Sequence, residues 1–437
     1  MEHGGQVRLR TVAREWGRIG LVGFGGPPAH ILLLRRLCVE RRGWLGPAEF
    51  EDGIATTNLL PGPASTQLAI FTAWRLRGTA GALVGGLCFI APGLVLILAL
   101  SALFMAGRPP LWVLGAAAGA GAAVPAVAVQ AAAALVPGSL GRASAGAADG
   151  TGRVRGGRAR WYGYALAGAG AALLTGPWLV LVVVATGLAE VVVRSRGRRA
   201  PRPGLPDVPA RDDTGAVGAA GAVGAAGDGS DADDAGGPPP GGGRRGTLPL
   251  LAAVPAVGGL GGLGALAWVA FKVGALSYGG GFVIIPLMRD DAVHRYHWMT
   301  DGQFLNAVAL GQVTPGPVVH TVSAVGYAAA GTLGGLLAAA VAFGPSFLFV
   351  ILGARHFGRL RADPRVQDFL TGAGPAVIGA IAGSALPLAA SLAHGWQWGV
   401  LAAALAGLTV ARRGAVGALL VAGALGVVAA LAGLPVA

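Results

Sequence analysis

The sequence predicts an all-α polytopic membrane protein made of two antiparallel, inverted repeats with broken or re-entrant helices. Three observations predict it. Of 437 residues, 54% are hydrophobic and only 12% are charged, about half the charged share of a soluble domain. A glycine-rich stretch occurs twice, as IGLVGFGGPPAHI over 19–31 and VGALSYGGGFVII over 273–285. Finally, charges flanking equivalent segments differ between the two halves, as they must if the halves face opposite ways.

Each glycine-rich copy is followed at the same distance by a tryptophan, Trp44 or Trp298, and then by Pro61-Gly62-Pro63 or Pro315-Gly316-Pro317. Residues 19–34 are apolar but shorter than the roughly 20 residues of a spanning helix. Arginines flank them on both sides, Arg14 and Arg18 before, Arg35, Arg36, Arg41 and Arg42 after. Such a segment enters the membrane and returns. Residues 54–74 repeat the pattern, broken at Pro61-Gly62-Pro63 and followed by Arg75 and Arg77. Irregular backbone survives at membrane depth only where protein or a water-filled cavity surrounds it.

Four conventional segments follow, near 79–106, 110–137, 161–175 and 178–193. The first repeat is therefore 1–194. Residues 195–247 are rich in Pro, Gly, Ala and Asp; they cannot offset the entropy of ordering and read as a disordered cytoplasmic linker. The second repeat occupies 248–437. Its first segment, 248–271, reads as an extra crossing without a first-half counterpart. Equivalents then follow at 273–288, 304–330, 332–354, 367–393, 396–411 and 414–435.

The charge comparison is specific. Arg142, Arg153, Arg155, Arg158 and Arg160 follow the fourth segment of the first half, and Arg194 to Arg199 leave it. In the second half, Arg355, Arg359, Arg361 and Arg365 cluster where the first half holds only Arg108, and Arg412-Arg413 replace Gly176-Pro177. The net charge of +13 is thus a set of topology signals rather than a nucleic-acid surface. Cys38 and Cys88 have no metal or redox spacing, His294 and His297 are too few to hold a metal, and the first 18 residues show no cleavable leader.

A divalent oxyanion near the bilayer midplane can be held by backbone N–H groups at helix breaks, helped by the positive end of each half-helix. Gly25, Gly26, Gly279, Gly280 and Gly281 would allow close backbone approach, beside Phe24, Pro27 and Tyr278. The two Pro-Gly-Pro breaks each start a half-helix, with Ser65, Thr66 and Thr321 as candidate donors and Asn58 and Gln312 just ahead. His30 and His320 adjoin the motifs and titrate near neutral pH when unperturbed. Lys272, the sole lysine, stands where the first half has Arg18, and intramembrane cations mark function or snorkel. Glu49, Glu51 and Asp52 read as a solvated face, Trp44 and Trp298 as interfacial anchors.

The stretches FGGPPAHI, VERRGWL, ATTNLLPGPASTQLAI and FIAPG resemble the first half of a two-domain member of the chromate ion transporter family. SYGGGFVIIPL, HWMTDGQF, GQVTPGPVVHTVSAVGYAAAG and FGPSFL resemble the second. The resemblance implies export of chromate from the cytoplasm, and chromate resistance. One departure is Arg35-Arg36-Leu37, where acidic residues are expected after the arginine; the second copy keeps Arg289-Asp290-Asp291.

No hydrolase elbow, Walker loop or metalloprotease motif is present, so an ATP-driven pump or an enzyme is not expected. Neither a cofactor nor a metal is expected. The expected partners are chromate or a related oxyanion such as sulfate or molybdate, the lipid bilayer and a second copy in a homodimer; nucleic acid is not. A channel, or a membrane enzyme or scaffold handling no solute, are the other classes the composition allows.

Overall fold

The computed structural model describes residues 7–58, 60, 62–105, 109–145, 155–174, 179–199, 260–277, 284–353, 363–411 and 414–436. Among them are fourteen helices and no strand. The first half holds α1 (Leu9–Val22), α2 (Pro27–Arg35), α3 (Pro47–Thr57), α4 (Ala64–Phe104), α5 (Leu111–Ala145), α6 (Arg155–Leu174) and α7 (Leu179–Arg199). The second holds α8 (Leu260–Leu276), α9 (Ile284–Arg289), α10 (Asp301–Val313), α11 (Thr321–Gly353), α12 (Pro364–Ala390), α13 (Gly395–Thr409) and α14 (Ala415–Leu431). They pair in order, α1 with α8 through α7 with α14.

The equivalence reaches fine detail. Both α2 and α9 run into one π-helical turn, Arg36–Arg41 and Asp290–Arg295. Both α4 and α11 break at the same place. Arg77 and Gly78 have φ of −146° and 57°, and Ala330 and Gly331 have −151° and 62°. The chain reverses there: a Cβ added to Gly81 would lie 2.2 Å from the Ala73 carbonyl oxygen, and one added to Gly334 would lie 2.2 Å from that of Gly326. Residues eight apart in a straight helix are about 12 Å apart. Gly78 occupies left-handed backbone in open surroundings. Gly78→Ala should therefore cost only about 1 kcal/mol, read as a small fall in the thermal midpoint in detergent.

These turns make helical hairpins. In the first, α1 goes in and α2 returns; its open end is closed by Arg42 to Glu15 at 3.0 Å and by Trp16 stacked on Trp44. In the second, α3 and the first limb of α4 are held at the open end by an ion pair of Glu49 with Arg75. Arg35 to Glu51 at 2.7 Å joins these two hairpins, and the Trp16 Nε1–H donates to the Ala69 carbonyl oxygen at 2.7 Å. Glu51 and Asp52 on α3 are exposed, so this solvated face also carries the ion pairs of Glu49 and Glu51.

The second limbs of α4 and α11 pack on each other. Gly86 lies against Phe347 and Gly335 against Leu98, so equivalent helices run antiparallel, as inverted repeats require. Glycines permit such close approach in a bilayer. The halves also exchange partners: α13 and α14 pack on α5, while α6 packs on α12. Gly115 and Gly119 meet Gly426 backbone to backbone, and Gly168 meets Ala376. Among the described residues, four stretches are long and apolar enough to cross a membrane, 64–104, 111–144, 318–353 and 364–390.

Two sequence boundaries shift. The helix α8 runs through position 271 and Lys272 unbroken. From Leu260 onward, then, the stretch expected to be an extra crossing is the inward limb of the second glycine hairpin, equivalent to α1. Residues 248–259 lie outside the described residues. The lysine looked like a boundary because its partner, Asp291, is 19 residues on. Helix α7 also continues to Arg199, five residues into the stretch read as linker; the rest of that stretch lies outside the described residues.

Candidate functional site

The tips of the hairpins meet in the interior. The Gly316 N–H donates to the Gly23 carbonyl oxygen at 3.0 Å, joining the first glycine motif to the second Pro-Gly-Pro. A Cβ added to Gly26 would touch Val318 at 3.6 Å. The reciprocal pairing is present too: Gly62 faces the Gly274 carbonyl oxygen, as Gly316 faces that of Gly20. Gly25, Gly26, Gly62 and Gly316 all have positive φ, which leaves room for no other residue without strain. Pro61 and Tyr278, Gly279, Gly280 and Gly281 lie outside the described residues.

Two histidines from different halves stand at this junction, both fully buried. His30 on α2 places Nε2 at 2.9 Å from the same Gly23 carbonyl oxygen, and its Nδ1 has no partner. His320 ends the 3₁₀ turn before α11; its ring faces the Ile90 backbone, and no well-aligned partner reaches either ring nitrogen. Each ring stands edge-on to a phenylalanine at an equivalent position, His30 on Phe89 at 5.0 Å and His320 on Phe343 at 5.2 Å. Gly93 of α4 closes the wall behind His320 and Pro315.

The donor supply at the breaks is uneven. Helix α2 opens with Pro27 and Pro28, which have no N–H, so its first free amide is that of Ala29. Helix α4 begins after Pro63; its Thr66 and Gln67 amides bond the Pro63 carbonyl oxygen, which leaves those of Ala64 and Ser65. Ser65 and Thr66 are buried, and the Thr66 hydroxyl has no partner. The Thr321 hydroxyl is spent on the Val318 carbonyl oxygen at 2.8 Å. Gln312 is buried with its amide nitrogen unpartnered, whereas Asn58 and Phe24 are exposed.

Lys272 is not an open cation. Its ammonium is paired with Asp291, both largely buried, while its counterpart Arg18 is exposed. Arg289, at the end of α9, is held by Asp301 and reaches Ser391. Around the tips, the sequence reading missed Ser277 and Ser346, both buried with unpartnered hydroxyls. Ser277 is the register mate of Gly23, and Ser346 lies beside Gly62. A serine repeat-mate for a motif glycine was the signal available.

A family model described as chromate transporter matches residues 10–191 and 264–431. The chain belongs to the chromate transporter family. It is therefore a membrane transporter rather than an enzyme. A chromate transport protein of Cupriavidus metallidurans is 28% identical over 389 residues, covering 87% of this chain and 82% of that protein. A chromate transport protein of Pseudomonas aeruginosa is 29% identical over 373 residues, 85% of this chain and 79% of that one. A probable chromate transport protein of Synechococcus elongatus is 26% identical over 393 residues, 88% and 86%. No solved structure matches. Within the chain both matched regions carry a glycine hairpin and a Pro-Gly-Pro hairpin, so the buried junction joins the two halves that the family model recognises.

Proposed function

We propose that the protein carries chromate out of the cytoplasm by a secondary mechanism, binding it where the hairpin tips of the two halves meet. The observation that supports this most is the cluster of buried polar atoms without protein partners at the helix breaks, among them the Thr66 hydroxyl and the Gln312 amide nitrogen, beside the two fully buried histidines. A buried polar group left unpaired costs about 1–3 kcal/mol, and such atoms persist where a ligand completes them. The Thr66 hydroxyl, the Gln312 amide nitrogen and the free amides at the start of α4 are donors, which suits an oxyanion; the His30 N–H is already given to the Gly23 carbonyl oxygen, and a neutral His320 ring has only one N–H to offer. The curated relatives bear the name of chromate transport.

Physics favours the outward direction. Moving a unit charge through about 100 mV is worth about 2.3 kcal/mol. A dianion leaving a negative-inside cell gains roughly twice that, or about three decades of gradient. Membrane potential alone suffices; a proton gradient is not required. The arginines at 142–160 and 194–199 face the cytoplasm on this reading.

The test is chromate accumulation in inverted vesicles with and without an imposed potential. Accumulation should follow the potential, and His320→Ala should lower it at least about tenfold through loss of one ligand worth about 1.5–3 kcal/mol. Sulfate or molybdate that competes as well as unlabelled chromate would move the substrate assignment to oxyanions in general. Absence of chromate flux in folded wild-type protein would sink the reading.

A further inference from the structure

A cavity of about 180 Å³ opens beside the tip of the second hairpin, where that tip packs against α5 and α12. Its polar lining includes Asn58, Gly62, Ser139 and Arg142. The volume is about six times the roughly 30 Å³ share of one water molecule. Arg142 has no acidic partner among the described residues, and no carboxylate lines the cavity.

The polar part of the lining is rich in donors. Trp161 donates its indole N–H to Ser139 Oγ at 3.0 Å; with that acceptor position filled, the buried serine hydroxyl is free to donate. Thr57 is excluded from this set, since its hydroxyl is spent on the Gly53 carbonyl oxygen at 2.9 Å. Ala64 also lines the space, and its amide is one of the two left free at the start of α4, the positive end of that helix. Arginine presents a planar fork of N–H groups matched to tetrahedral and planar oxyanions.

A second cavity, of about 340 Å³, lies toward the other end of α5, where it meets α10 and the start of α13, lined by Thr300, Gln303, Asn306, His394 and Gln397 and by no arginine or lysine. The two lie about 30 Å apart along α5, at 1.5 Å per residue. Between them Ala123, Val124, Ala126, Val127 and Ala128 are at most 1% exposed, so this stretch of α5 is closely packed.

We propose that the Arg142 cavity is an anion-binding site in its own right, which recruits a divalent tetrahedral oxyanion from the arginine-rich face before it reaches the hairpin junction. The neutral cavity at the other end is the place of release. The asymmetry between the two ends is the specific content: one end attracts the dianion and the other does not hold it. This rests on the transport reading above.

Binding is measured on purified full-length protein in nanodiscs by isothermal titration with chromate and with sulfate. Flux is measured in proteoliposomes at low and saturating chromate. Arg142→Gln should weaken binding about tenfold or more, the loss expected for a charge-assisted contact. Arg142→Lys should recover part of it, and the flux defect should vanish at saturating chromate. Unchanged thermal midpoints and gel-filtration profiles show that the variants fold, and Ser139→Ala should weaken binding without touching the charge. The inference is overturned if Arg142→Gln binds like wild type, or if wild type transports chromate but its affinity is insensitive to both substitutions. Loss of chromate flux in wild type itself would instead strike the transport reading.

Discussion

Gly93→Ala is expected to abolish chromate flux and to lower the thermal midpoint. A Cβ at this position would lie 2.2 Å from the Pro315 carbonyl oxygen and 2.6 Å from His320 Cε1. Neither neighbour yields cheaply. Pro315 belongs to a Pro-Gly-Pro turn whose glycine is tied to Gly23, and the His320 ring is wedged against Phe343. Overpacking a tight site costs about 1–3 kcal/mol, sometimes more. Here the strain falls on the junction itself, so transport should suffer more than stability. Flux per folded molecule in proteoliposomes separates the two. Wild-type flux from Gly93→Ala would show that the junction is not the path.

The second large effect concerns Lys272 and Asp291. Removing one partner of a buried ion pair leaves an uncompensated charge and costs about 3–5 kcal/mol. Asp291→Ala should therefore yield little folded protein. Replacing both, as Lys272→Met with Asp291→Leu, removes the charges together and should restore folding to within about 1–2 kcal/mol. Flux in that double variant decides what the lysine does. Near-normal chromate transport identifies a structural tie between α8 and the π-turn after α9. A folded but inactive double variant assigns the pair a part in transport. Expression level, thermal midpoint and flux are the three readouts.

Much of the architecture is legible in the chain because broken helices leave local marks. Glycine and proline at the tips, arginines at the open ends and a fixed spacing of about 254 residues identify the hairpins without any contact information. Packing across the chain leaves no such mark. Arg142 reads as one of five arginines in a loop; only the approach of α5 to the second hairpin puts it beside Gly62. Lys272 reads as an open cation because nothing local announces Asp291. Helix α1 escapes notice as the counterpart of α8 because it is amphipathic and arginine-rich, whereas α8 is apolar except for Lys272. Its polar face is satisfied by Glu15 with Arg42 and Arg14, contacts that appear only once the hairpin closes.

The exchange of helices between halves bears on how the protein is made. Helix α6 is synthesised before the surface of α12 on which it rests, and α5 before α13 and α14. Until the last segment leaves the ribosome, these early helices must wait in the bilayer with their small-residue faces turned to lipid. Neither half is then a self-sufficient folding unit, and assembly finishes only after the final helix inserts. A chain that stops after α12 should be inserted yet fail quality control, while two halves supplied as separate polypeptides should mature only when both are present in the same membrane.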